Sequence, residues 1–323
     1  MCTAVSYTPG EHYFGRNLDY EFSHETTVTI CPRNYPLSFR KAGVNSHHYA
    51  IIGIAYVNDG YPLYYDATNE HGLSIAALNF PENAVYQPAS DILDNITPFE
   101  LIPWILCQCR TVAQSRALLN RLNLLNESFS CELPLSPLHW ILSDKASSLV
   151  LEPMTDGLKI YDNPTNVLTN NPPFPFHMHN LNNYLNLTSE EPTNRFASNL
   201  ELHPYSRGMG AMGLPGDLSS SSRFIRAAFT LHNAICDEGD SNCVNQFFHI
   251  LGSVYQPSGC SKVGSRYEKT IYSSCCNTNK GIYYYKTYFN SRITAVDMHN
   301  TDLEGCNLRL YPMRNSSDFF WEH

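Results

Sequence analysis

A cysteine stands directly after the initiator methionine in the opening stretch MCTAVSYTPGEHYFGRNLD. Once that methionine is trimmed, Cys2 carries a thiol and a free α-amine on one carbon. With ordinary pKa values of about 7.7 to 8 for the amine and about 8.5 for the thiol, the amine can take the thiol proton near neutral pH, directly or through water. This is a nucleophile that brings its own base and needs no histidine. The competing reading of Cys2 is a small residue at a chain end, where order is often lost. The next segment, YFGRNLDY, supplies what such a nucleophile would use. Arg16 is a permanent cation able to lower the thiol pKa, and Asp19 is a carboxylate able to accept a hydrogen bond from the amine. A regular strand sends positions 16 and 19 to opposite faces. Gly15 and Asn17 are read as a turn or bulge that breaks the strand, so that both side chains turn toward one point.

The chain around these residues has 323 positions and can bury a sizeable core, read here as a single domain over 1–323. Charged residues make up 16% and aromatics 12%, with 21 tyrosines, which suits a well-packed globule with tyrosine-rich surfaces. The net charge of -9 and the lack of a basic cluster argue against nucleic acid, since phosphate binding needs grouped Lys and Arg. No charged segment followed by an apolar one opens the chain, and no run of about 18 apolar residues occurs, so the expectation is a cytoplasmic protein without membrane insertion. The 11 cysteines are then expected to be mostly buried, reduced thiols and no disulfide framework. Sequons at Asn95, Asn126, Asn186 and Asn315 would matter only in a secretory compartment. Cys107 and Cys109, Cys275 and Cys276, and His47 and His48 lack the paired spacing of a structural zinc site. Neither metal nor cofactor is expected.

The elements that must position the chemistry follow from periodicity. Strands are predicted over 2–7, 12–18, 26–31, 49–57, 63–68 and 73–78, a meandering, largely antiparallel set. Thr97-Pro98-Phe99-Glu100 reads as a capping box with proline in the first helical position, and a second box at Thr111 to Gln114 starts another helix. Strands return over 139–143, 148–154, 158–161 and 167–169, then a short helix over 177–185. The stretch 192–222, rich in Pro, Gly and Ser, reads as long loops; helices over 222–235 and 242–255 and strands over 270–276, 282–288 and 293–298 close the chain. Strands, helix pair, strands, helix pair, strands suggests an α+β domain of two sheets with helices outside.

Several separated stretches, MCT, YFGRNLDYEFS, NEHGLSIAALNFP, PLHWILSD, VLTNNPPFPFHMHNLNNY, GLPGDLSSSSRFIRAAF and GIYYYKTYFNSRITAVDM, resemble the choloylglycine hydrolase family over essentially the whole chain and in order. That family includes bile salt hydrolases and penicillin V acylases. The resemblance implies an N-terminal-nucleophile hydrolase with a four-layer αββα sandwich, usually a homotetramer in the bacterial cytoplasm. It matches Cys2 to the nucleophile, Arg16 to the cation beside it and Asp19 to the carboxylate that orients the α-amine. Asn79, in LNFP, matches the main-chain N–H of an oxyanion hole, and Asn170, the first asparagine of TNNP, the side-chain donor to the same oxygen; Asn171 is its adjacent alternative. Arg223, in SRFIR, matches a charge that supports the nucleophile. Each residue also has an ordinary structural use, in turns for the asparagines and at a helix start for Arg223. Asn79 and Trp140, in LHW, look like the bile-salt branch of the family.

The implied reaction is cleavage of the amide joining a bile acid to glycine or taurine, through a thioester. Penicillin V or another N-acyl amide is the alternative substrate, and transfer of the acyl group to an amine a further possibility. A reading of a different kind is a binding protein of the same fold with Met1 retained. A steroid acyl group calls for an apolar pocket. Leu18, Tyr20 and Phe22 are the first candidates for its lining, with 80–98 and 208–213, core packing being the competing use of each.

Overall fold

A computed structural model describes residues 1–322. In chain order the first half runs β1 (Cys2–Tyr7), β2 (Tyr13–Tyr20), β3 (Thr27–Cys31), β4 (Leu37–Phe39), β5 (Gly43–Asn45), β6 (Ile51–Asn58), β7 (Tyr61–Asn69), β8 (Ser74–Asn79), β9 (Asp94–Ile96), α1 (Leu101–Leu106), α2 (Val112–Leu119) and β10 (Leu122–Leu124). The second half runs β11 (Leu138–Ser143), β12 (Ser148–Met154), β13 (Gly157–Asp162), β14 (Val167–Leu168), α3 (Phe174–Asn180), α4 (Ser220–Asn233), α5 (Asp240–Gly252), β15 (Ser261–Val263), β16 (Arg266–Asn277), β17 (Ile282–Thr287), β18 (Thr294–Asp297) and β19 (Arg309–Pro312).

A seven-stranded sheet in the order β14-β1-β2-β16-β17-β18, with β15 on β16, faces an eight-stranded sheet ordered β13-β12-β11-β8-β7-β6-β3-β19. Helices α4 and α5 cover the outer face of the first sheet, and α1 lies on β7 and β8 of the second. The layers are held by three apolar cores: one under α4 and α5, one between the sheets, and one under α1 and α2. This is the expected α+β sandwich of two sheets between helical layers.

The register of β1 on β2 decides which side chains meet. Cys2 pairs with Leu18, Thr3 with Asn17 and Ala4 with Arg16. With side chains alternating, Cys2, Ala4, Arg16 and Leu18 face the second sheet, whereas Thr3, Asn17 and Asp19 face the helices. The expected break at Gly15 and Asn17 does not occur: β2 is continuous from Tyr13 to Tyr20. Gly15 is needed for a different reason, because a Cβ there would stand 2.0 Å from the carbonyl oxygen of Ser274 on β16. The irregularities lie on the partner strands. In β16, Thr270 pairs with Asp19 and Tyr272 with Leu18, leaving Ile271 as an extra residue. In β7, Asp66 pairs with Ile54 and Tyr64 with Ala55, leaving Tyr65 as the extra one. Each bulge moves flanking residues that would share a face onto opposite faces.

Other expectations are corrected locally. The Glu100 carboxylate does take the Thr97 N–H at 2.9 Å, but the helix begins at Leu101, so Pro98 lies ahead of it and the Thr97 hydroxyl is buried without a partner. The second box forms in half: Thr111 Oγ1 accepts from the Gln114 N–H at 3.2 Å, but the Gln114 side chain accepts from the Arg110 N–H, not from Thr111. The helix read over 177–185 starts earlier, at Phe174, and continues as a 3-10 turn to Tyr184. Short strands β4, β5, β9, β10, β15 and β19 were not predicted; β19 is exposed along its length and carries no alternating signal. Most free cysteines are buried, as expected, but Cys236 and Cys243 form a disulfide joining the end of α4 to the start of α5.

Candidate active site

Asn170 lies in the turn after β14 and is held at every polar atom. Its main-chain N–H donates to Ser220 Oγ at 2.8 Å, at the start of α4, and its carbonyl accepts from His177 Nε2 on α3 at 2.9 Å. Its side-chain Oδ1 accepts from the Cys2 N–H at 2.7 Å and from Arg223 Nη2 at 2.8 Å, while Nδ2 donates to the Asn79 carbonyl at 2.7 Å. Asn171 instead donates to the carbonyl of Pro81, so the first asparagine of TNNP is the one at the nucleophile. The His177 ring stacks on Phe224, and burial lowers its pKa to about 4, which keeps the imidazole neutral.

Arg223 on α4 is fully buried. It donates from Nη1 to the Cys2 carbonyl and to Thr3 Oγ1 at 2.7 Å, and from Nε to the Leu218 carbonyl at 3.0 Å. Its guanidinium stands 4.0 Å from the Asp19 carboxylate. Asp19 accepts from Thr270 Oγ1 at 2.6 Å and from Gln256 Nε2 at 3.1 Å. Burial pushes the Asp19 carboxyl up, against the pull of Arg223 and the Thr270 hydrogen bond. Met1 occupies the space ahead of Cys2, with its amine donating to the Asp19 main-chain oxygen at 2.7 Å and lying against Glu268.

Arg16 reaches the same point from the opposite face of the sheet. Its Nη1 donates to the carbonyls of Tyr65, at 3.1 Å, and Ala77, whereas Nε and Nη2 are buried without partners. Burial works against its charge, but Cys2, Tyr272, Asp66 and Asp19 together hold the guanidinium above its ordinary pKa. Arg16 and Asp19 thus do not turn to one side of β2, as expected from a broken strand; they bracket Cys2 from the two faces of a regular one.

Cys2, Arg16 and Asn79 line a cavity of about 380 Å³. Leu18, Tyr20 and Phe22 line it as anticipated, but of 80–98 only Pro98 does, and none of 208–213. Phe80 is buried instead, stacked on His139 with ring centroids 4.3 Å apart. Sequence reading missed other lining residues, Phe129 and Leu133 to Leu135, and Tyr56 and Tyr65. The apolar alternation of LPLSPL between prolines was the available signal for Leu133 to Leu135. Asp19 and Arg223 are fully buried and do not line the cavity, and Asn170, also outside the lining, is hydrogen-bonded to Cys2 and Asn79, which do. Trp140 is fully buried in the core under α1 and α2. β8 leaves its ladder with β7 at Ala76, so Asn79 lies three residues beyond the last pair. Among the described residues no group of three or more His, Cys, Asp or Glu is placed to hold a metal ion.

Residues 2–313 match the linear amide C–N hydrolases of the choloylglycine hydrolase family. The chain belongs to that family. It is 53% identical, over 99% of both chains, to a bile salt hydrolase/transferase of Lactiplantibacillus plantarum. It superposes with a TM-score of 0.92 and 33% identity, over 100% of both chains, on a mutant conjugated bile acid hydrolase from Clostridium perfringens. A penicillin V acylase from Agrobacterium tumefaciens, at 19% identity over 98% of this chain and 99% of its own, shares the fold with a TM-score of 0.74. The family's chemistry is hydrolysis of linear amides. No helix of the described residues is long and apolar enough to cross a membrane.

Proposed function

We propose that this protein is a conjugated bile salt hydrolase that cleaves the amide between a bile acid and glycine or taurine with Cys2 as nucleophile. The observation that carries the reading is the seating of Cys2: its N–H lies on Asn170 Oδ1 at 2.7 Å and it lines a largely apolar cavity. Relatives named for bile salt hydrolysis along the whole chain support the same substrate class.

Removal of Met1 converts the Cys2 N–H into an amine already resting on Asn170 Oδ1. The amine takes the thiol proton and the sulfur attacks the amide carbon, opening the carbonyl to an oxyanion. The Asn79 N–H and the second hydrogen of Asn170 Nδ2 are the donors to that oxygen, each worth roughly 3 to 4 kcal/mol of barrier. The amine returns the proton to the leaving nitrogen, and the amino acid departs. Water then adds to the thioester, giving its proton to the same amine and releasing the bile acid. Arg16 favours the thiolate throughout, while Arg223 holds the Cys2 carbonyl and Asp19, beside Arg223, is the carboxylate that orients the freed amine. The chain supplies nucleophile, base and oxyanion donors, so no metal or cofactor enters.

Supporting one catalytic domain over 1–323, the cavity walls come from both sheets. Cytoplasmic residence and a homotetramer belong to the same proposal; sedimentation of the purified protein tests the assembly. A relative named hydrolase/transferase supports interception of the thioester by amines as well as water. The deciding experiment is amino acid release from glycocholate and taurocholate beside penicillin V, together with intact mass. Loss of one methionine and release from the bile conjugates are expected. Retention of Met1 would favour a binding protein of this fold, and faster turnover of penicillin V would favour an acylase. Cys2→Ser is expected to lose nearly all activity, and wild-type rates in that variant would refute the nucleophile.

A further inference from the structure

Between the sheets, behind Arg16, lies a carboxylate that the mechanism above does not use. Asp66 on β7 is 1% exposed and takes three hydroxyl groups: Tyr272 Oη at 2.8 Å on Oδ1, and Ser274 Oγ at 3.2 Å and Tyr283 Oη on Oδ2. Three donors suit an ionised group, which only accepts. Burial pushes its pKa up while Arg16 and the hydroxyls pull it down. A charge kept this far from water is costly unless its surroundings are arranged around it.

Two contacts tie it to Arg16. The Ser274 hydroxyl that donates to Asp66 also accepts the Arg16 main-chain N–H, at 3.2 Å. The carbonyl that accepts Arg16 Nη1 at 3.1 Å belongs to Tyr65, the bulged neighbour of Asp66. The bulge at Ile271 in turn brings Tyr272 to this side of its sheet. Arg16 is therefore held by its backbone and by one guanidinium nitrogen, while Nε and Nη2 are left without partners in a residue that lines the cavity.

The geometry points to Asp66 as the positioning residue for Arg16: through Ser274 and the Tyr65 carbonyl it fixes the guanidinium against the cavity that Arg16 shares with Cys2. The inference rests on the reading of Cys2 as nucleophile, but its test separates from that reading.

The test is Asp66→Asn and Ser274→Ala in the full chain, with kcat and KM on glycocholate and the pH dependence of Cys2 alkylation by iodoacetamide, followed on the Cys2 peptide by mass spectrometry. For Asp66→Asn, kcat is expected to fall about tenfold or more with KM within about threefold. The alkylation pKa of Cys2 is expected to rise by about half a unit or more, because a displaced guanidinium stabilises the thiolate less. Ser274→Ala removes the bridge and leaves the carboxylate, so it should shift both readouts in the same direction by less. A Cys2 pKa that stays put or falls in either variant overturns the inference, since loss of a remote negative charge alone would lower it. If Asp66→Asn does not fold, Ser274→Ala decides by the same criteria. A wild-type protein that alkylates at Cys2 but releases no amino acid refutes the proposed function, and the pKa comparison still decides the role of Asp66.

Discussion

Asn170 does two jobs with one amide: Oδ1 receives the nitrogen of Cys2, and Nδ2 is anchored on Asn79 with one hydrogen to spare. Asn170→Asp keeps the acceptor and loses the donor, so kcat is expected to drop about 10²- to 10³-fold, read in steady-state glycine release. His177, which fixes the Asn170 carbonyl, carries a pH dependence with a definite sign. Its pKa is about 4 in the folded chain against an ordinary 6.5, so the unfolded chain binds the extra proton between those values. The stability from a neutral His177 is complete above about pH 6.5 and is lost as pH falls toward 4, up to about 3 kcal/mol. His12, with a pKa of about 4 from burial, adds in the same direction, whereas Asp19 and Asp66, pushed up by burial, oppose it. The check is therefore a comparison: urea midpoints at pH 7.5 and pH 5 should differ less in His177→Asn than in the parent.

At the level of strands and helices, β1, β2 and β16 determine whether the site assembles. Gly15→Ala would press a methyl group into the Ser274 carbonyl. The expected cost is about 3 kcal/mol or more, seen as a lower urea midpoint or loss of soluble protein. The disulfide between α4 and α5 makes the contrasting case: Cys243→Ser should cost about 2 kcal/mol and leave kcat within about twofold, because it lies outside the network around Cys2. Much of this architecture could be read from the chain. Runs such as CTAVSY and SLVLEPM announce themselves by β-branched and apolar residues, and their bounds agree closely with the structure. Six dispersed residues read from the chain, Cys2, Arg16, Asp19, Asn79, Asn170 and Arg223, are linked in the fold by hydrogen bonds, an ion pair and one shared cavity. What stayed hidden was pairing. Neither extra residue, Tyr65 nor Ile271, has a local composition that marks a bulge, since a bulge is a relation between two strands. Asp66 was invisible for the same reason: only register brings it to Tyr272, Tyr283 and Ser274. The wall at Leu133 to Leu135 was passed over because loop proline and leucine look alike whether they cover a core or a cavity.

Across the whole molecule, the net charge of -9 works against an anionic substrate, and the cavity meets it with few cations. Raising the ionic strength from about 10 to 150 mM should therefore increase kcat/KM for glycocholate about twofold by screening the repulsion, with kcat unchanged. Fifteen strands in two stacked sheets also make one layer answerable to another. Ile271 shows how far this goes: it supplies a half-step in the rhythm of β16, after which Thr270 serves Asp19 on the helix side and Tyr272 serves Asp66 in the interior. Run through these three residues without the bulge, β16 would turn Thr270 and Tyr272 to the same side of the sheet, and one of the two acids would lose its hydroxyl.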